Sequence, residues 1–352
     1  FKRMVKLGGR ILEAVIDEYG RQEVLARLAD PYWFQALSCV LGYDWHSSGT
    51  TTVTCATLKT ALQPGEHGIA VAGGKGRFSR RTPEEIETIG KLFKWSEEQT
   101  EALKYASRMS AKVDNTTIQA GYPLYHHAFI VDVDGGWVVV QQGMNVDDRT
   151  ARRYHWHSDH VKSFVVEPHE AIVCNVLKEH VLDMTARESE GSRRVSVDLV
   201  SDGPERLRRT VLSMRSREQK PLSEWIEGRA LAGGYSVDFL SMPRSINWEA
   251  LKKAYMFRPR SYEELLGVGG VGPATVRGLA LISELVYGER SSWKDPVRYS
   301  FCVGGKDGVP FPVDRRAYDE MIEFMGTAVE QAKIGGKERV DALRRLNKLL
   351  ER

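Results

Sequence analysis

The chain has 352 residues, 42% hydrophobic and 28% charged, with a net charge of +3. That is ordinary globular composition, long enough for two or three cored domains, and it excludes a chain that coats nucleic acid by bulk charge; any such contact must come from local clusters. Cys39, Cys55, Cys174 and Cys302 lie far apart with no CxxC pair, no apolar run reaches membrane length and no secretory signal is present, which points to reduced thiols in a cytoplasmic protein without a membrane partner.

The chain opens on Phe1 rather than Met, so it is expected to lack its true beginning. Residues 1–42 read as helices, with Ile11, Val15 and Ile16 at helical spacing and Pro31 ending one unit. "HSSGTTTVTCATLKTAL", from His46, is a hydroxyl-rich loop feeding a helix. "GIAVAGGKGRFSRRTPEEIETIGKLF" follows as a strand, a glycine turn and a helix, with Thr82 as N-cap, Pro83 first and Glu85 closing a capping box. In "YHHAFIVDVDGGWVVVQQGMN", the runs 129–133 and 137–141 flank Asp134-Gly135-Gly136, a strong hairpin signal. "SFVVEP" reads as a further strand, and helices are expected to resume near Glu170. The predicted fold is therefore α+β and mostly helical, with a small antiparallel sheet around residues 125–167. The organisation expected is a mixed domain over 1–200, a linker or helical connector over 201–247 and a helical domain over 248–352.

"LLGVGGVGPATVRGLALISELVYG" (265–288) places Gly267, Gly269, Gly270 and Gly272 within six residues. A phosphate-binding P-loop needs Lys-Ser or Lys-Thr after its last glycine, and Pro273-Ala274 stands there. A dinucleotide fold needs a preceding strand, and "SYEELLGV" has helical spacing. What remains is helix, glycine turn, helix over 261–288. The stretch resembles the helix-hairpin-helix module of DNA repair and replication proteins. The resemblance implies that amides around Gly270, Gly272 and Ala274 meet DNA phosphates, with Thr275 and Arg277 adding side-chain contacts.

Six of the nine histidines fall between His126 and His169. Part of this stretch is similar to phospholipase-D-like nucleases. The resemblance implies His126 or His127 as nucleophile or base, Asp132 or Asp134 as the aspartate, and Asn145 at the end of the motif. The motif's lysine position holds Ala128, so Lys112, Arg152 or Arg153 would have to neutralise the phosphate. A metal-dependent alternative would hold Mg²⁺ or Mn²⁺ on Asp114 and Asp132. A zinc site is a third option, drawn from His126, His127, His155, His157 or His160; hydrogen bonding and packing at a β surface explain the same histidines without a ligand. A weaker phosphate site gathers Ser47, Ser48, Thr50 and Lys75, and capping of a helix accounts for those hydroxyls equally well.

Taken together, "WFQALSCVLGYDWHSSGTTT", "GIAVAGGKG", "AKVDN", "YHHAFIVD", "VVQQGMN", "ARRYHW" and "GGKDGVPFPVDR" resemble one family, known chiefly as a domain of unknown function, number 763. That family name carries no activity, so function rests on the residues. They point to a DNA-binding protein of repair or recombination type, a structure-selective nuclease acting on duplex or branched DNA. His126, His127, Lys112, Asp132, Asn145 and His155 are its catalytic candidates. The alternative is a non-catalytic adaptor that recruits a helicase or nuclease.

Overall fold

The protein is described from a computed structural model covering residues 1–42, 49–217, 241–299 and 315–350. It opens with four helices, α1 (Lys2–Tyr19), α2 (Arg21–Ala29), α3 (Pro31–Val40) and α4 (Thr50–Ala61). Gly20, at φ 86°, separates the first two. The Asp30 carboxylate accepts the amides of Tyr32 and Trp33, and Pro31 fills the first turn, so α3 begins where α2 must stop. The short α5 (Pro64–His67) leads into the sheet.

Five strands form that sheet: β1 (Ile69–Lys75), β3 (Leu124–Asp132), β4 (Trp137–Asn145), β5 (Thr150–His157) and β6 (Ala171–Cys174), in the order β1-β3-β4-β5-β6 and all antiparallel. A separate pair joins β2 (Ile118–Gln119) to β7 (Leu182–Asp183). The Asp-Gly-Gly turn forms as expected. Gly135 sits at φ 94°, and the Asp132 carboxylate accepts the amides of Asp134 and Gly136. The α+β reading therefore holds, with a sheet wider than residues 125–167. "SFVVEP" is a correction: it forms turns and bends, and the strand beside β5 is Ala171–Cys174. Helices resume at Glu190, not near Glu170.

The remaining helices are α6 (Thr82–Phe93), α7 (Glu97–Thr116), α8 (Glu190–Ser201), α9 (Pro204–Arg217), α10 (Trp248–Phe257), α11 (Tyr262–Gly267), α12 (Pro273–Tyr287), α13 (Arg315–Gln331) and α14 (Gly336–Leu350). Strand alternation gives the sheet two apolar faces. Ile69, Val71, Ala128, Ile130, Val138 and Val140 pack with α1–α4, and Met325, Val329 and Leu346 of α13 and α14 join the same cluster. Ala72, Phe129, Val131, Val139, Trp156 and Ile172 pack on α6 and α7 and continue into α8–α12. Each wholly buried aliphatic or aromatic side chain contributes about 1.5–3 kcal/mol, so the two faces hold the sheet between helical layers. Cys39, Cys55 and Cys174 are free and buried; Cys302 lies outside the described residues. Among the described residues no helix is long and apolar enough to cross a membrane.

Candidate functional site

The start of β3 places His126 and His127 side by side in sequence and on opposite faces of the sheet. His127 points to the α7 side, where its Nε2 lies 2.8 Å from Ser107 Oγ and its Nδ1 2.9 Å from Gln141 Oε1. Gln141 Nε2 donates to Asp114 Oδ2 at 2.5 Å, which makes its oxygen the acceptor for His127. His127 therefore carries its proton on Nδ1, and Ser107 Oγ–H donates to Nε2. Asp114 also accepts from Trp156 Nε1 at 3.0 Å and stands 2.5 Å from His169 Nε2. The chain Ser107–His127–Gln141–Asp114–His169 is a buried polar network crossing this face of the sheet.

Burial pushes His127 down to about 4, against the Gln141 hydrogen bond, and pushes His126 down to about 3, helped by His127 and Lys75. Burial raises the Asp114 carboxyl, against the pull of His169. Ser107, His127 and Gln141 stand in the order of a nucleophile, its base and the group that orients the base. An imidazole held near 4 is a weak base at neutral pH, however, and Ser107 is itself buried.

His127 and Lys112 do converge, while the His126 ring turns to the other face of the sheet. His127 and Lys112 line one cleft of about 510 Å³ between α6, α7 and the start of β3, together with Arg80, Arg108 and Asn115. The other catalytic candidates do not join them. Asp132 sits at the far end of β3, where the hairpin amides and Gln22 Nε2 engage it. Asn145 caps the next turn, accepting the amides of Asp147 and Asp148. His155 is buried on the α2 side, with Nδ1 3.2 Å from the Leu28 carbonyl and its ring against Phe34. Its pKa is driven well below the ordinary value by burial and by Arg153.

The paired arginines are a second correction. Arg152 and Arg153 project from opposite faces of β5, and both are buried. Arg152 is ion-paired with Asp295 at 2.7 Å. Arg153 donates to Gln35 Oε1 and the Pro31 carbonyl and lies over the Phe34 ring. Neither lines the cleft. Asp114 and Asp132 stand in different hydrogen-bond sets, and among the described residues no three His, Cys, Asp or Glu side chains are grouped to hold a metal ion. Of the weaker phosphate set, Thr50 is buried in the first turn of α4, and Lys75 is exposed, 5.8 Å over the Tyr125 ring. Ser47 and Ser48 lie outside the described residues.

Farther along the chain, residues 268–272 connect α11 and α12 in a tight turn. Gly267, Gly269 and Gly270 are exposed, and Val271 is buried as the turn's anchor. Gly270 adopts φ 92°, and a Cβ there would meet Ala250 Cβ and Asn247 Nδ2 at 3.0 Å, so only glycine fits without strain. No side chain caps the start of α12 at Gly272, which leaves its first amides open near Ala274. The two expected side-chain partners face inward. Thr275 is buried, with its Oγ1 accepting from the Asn247 amide, and Arg277 donates to Gln119 Oε1 and lies over the Trp293 ring. Exposed Lys252 and Lys253 lie on α10, whose first turn touches Gly270.

Sequence reasoning missed Ser107, Arg108 and Asn115. Their signal is the helical spacing of 108, 112 and 115, which sets Arg108, Lys112 and Asn115 on one stripe of α7. His169 and Asp295 are recognisable only once the fold brings them to their partners. No curated protein and no solved structure matches the chain. A family model does match, over residues 1–313, and the chain belongs to that family, described as a protein of unknown function, DUF763.

Proposed function

We propose that this protein binds DNA, holding the sugar–phosphate backbone at the glycine turn between α11 and α12 in a repair or recombination setting. The observation that carries the reading is the exposed turn itself. Three glycines leave its backbone uncovered, Gly270 is held at positive φ against α10, and the uncapped start of α12 directs free amides and a partial positive charge outward. Lys252 and Lys253 add charge on the neighbouring helix. Contacts of this kind read the backbone rather than the sequence.

The test is duplex and forked-DNA binding by the full chain and by Gly270→Ala. Alanine there is strained and crowds Ala250, so the turn must open. Binding by the variant should fall roughly tenfold, the loss of one or two charge-assisted hydrogen bonds. Equal binding by the two proteins would overturn the reading.

Structure-selective phosphodiester cleavage is the second reading. It is favoured by the convergence of His127, Ser107 and Lys112 in one cleft. Labelled single-stranded, duplex and forked DNA incubated with EDTA, Mg²⁺ or Mn²⁺ tests it. Cutting in EDTA supports the histidine route, and cutting only with metal supports a carboxylate route. Binding without cutting under every condition leaves the adaptor that recruits a helicase or nuclease.

A further inference from the structure

The cleft over α7 has a charge pattern that the glycine-turn reading does not use. Arg80 enters from the turn before α6, and Arg108 and Lys112 stand one helical turn apart on α7. Its lining residues include these three cations and no carboxylate. No ion pair engages Arg80, Arg108 or Lys112 among the described residues. Charged side chains elsewhere in this protein are commonly paired, as Lys59 is with Glu85 and Lys104 with Glu101. Like charges lining one concavity favour an anion between them.

The wall beside Arg80 is the start of α6, a twelve-residue helix without a side-chain cap, whose dipole places partial positive charge there. Glu84 and Glu85 of its first turn are engaged elsewhere, by Arg81 and by Gly73 and Lys59. His127, whose ring is on the α7 face, borders the cleft beside Ser107. Tyr125, Leu124 and Ala111 supply an aromatic and apolar wall beside the cations.

We propose that this cleft binds a terminal phosphomonoester, the phosphate of a nucleotide or of a nucleic-acid end, between Arg80, Arg108 and Lys112. A dianionic phosphate matches three cations better than a singly charged backbone diester does. The site is independent of the glycine turn and does not require that the cleft cut anything.

Calorimetric titration of the full chain tests it, with inorganic phosphate, a nucleoside 5′-monophosphate, and one oligonucleotide with and without a 5′-phosphate. The phosphorylated probes should bind, and the unphosphorylated oligonucleotide should be at least roughly tenfold weaker than its phosphorylated twin at the cleft. Arg108→Gln and Lys112→Gln should each weaken binding of the phosphorylated probes about tenfold. Arg108 is exposed, so its variant keeps the fold whatever happens at the half-buried Lys112. Tighter binding of the mononucleotide than of the phosphorylated oligonucleotide identifies a small-molecule ligand, and the reverse order identifies a strand end; both support the site. Gly270→Ala should leave the affinities for inorganic phosphate and the mononucleotide unchanged, so failure at the turn and failure at the cleft are read separately. The proposal is overturned if millimolar phosphorylated probes give no heat, if neither variant alters the affinity, or if the two oligonucleotides bind equally.

Discussion

His126 shows what burial does to a single residue. Its ring is enclosed, it has no hydrogen-bond partner, and its pKa is held at about 3 against an ordinary 6.5. The imidazole is therefore neutral in the folded protein and takes up a proton on unfolding once the pH drops below 6.5. For a depressed folded pKa the sign is fixed: stability is fully present above the unfolded value and is lost as pH falls toward the folded one. His126→Gln, which cannot titrate, should flatten that loss by up to about 1.4 kcal/mol per pH unit between pH 6 and 4. Urea denaturation of both proteins across that range measures it. Parallel pH dependences would mean that the ring is hydrated or already paired.

At the scale of elements, β1 and α6 are locked together where the sequence offers a phosphate loop. In "GGKG", Gly73 lies at φ 91°, and a Cβ on it would stand 2.2 Å from the His127 carbonyl and 2.7 Å from Thr82 Oγ1. Its amide donates to Glu85, whose carboxylate also accepts from Lys59. Gly73→Ala should destabilise the fold by about 3 kcal/mol, combining left-handed strain with overpacking against backbone. Chemical denaturation reads the loss; a change under about 0.5 kcal/mol, typical of a surface position, would show that the strand end relaxes freely. The same contacts explain which elements were legible in the sequence. The hairpin at Asp134-Gly135-Gly136 was readable because its chemistry is local: positive φ and an Asp side chain reaching its own turn. The capping box at Thr82 was not, since Glu85 bonds across to Gly73 and Lys59 and Thr82 Oγ1 donates to the Ser79 carbonyl, leaving Arg81 at the cap position. The histidine pair is the same lesson at the site. Adjacent letters suggest a shared role, yet a strand sends His126 and His127 to opposite faces, and their partners Ser107, Gln141 and Lys75 come from three other elements.

Across the whole molecule, 50 basic and 47 acidic residues leave a net charge of only +3, so no broad field draws a polyanion to it. Buried arginines offer no surface contact to a polyanion: Arg152 is ion-paired with Asp295, and Arg153 is enclosed between α3 and the sheet. Binding to duplex DNA at the glycine turn then depends on open amides and on the few cations beside it, Lys252, Lys253, Arg258 and Arg260, all exposed on or just after α10. Amide contacts release no counterions, whereas each neutralised phosphate contributes about −0.9 to the slope of log K against log salt. Four cations set a ceiling, so the slope should be no steeper than about −4 between 50 and 200 mM salt. Lys252→Gln with Lys253→Gln should make it shallower by roughly 2. A slope near zero would show that none of these four cations neutralises a phosphate. A much steeper one would mean that the duplex is held by a wider basic surface than the turn and α10 provide.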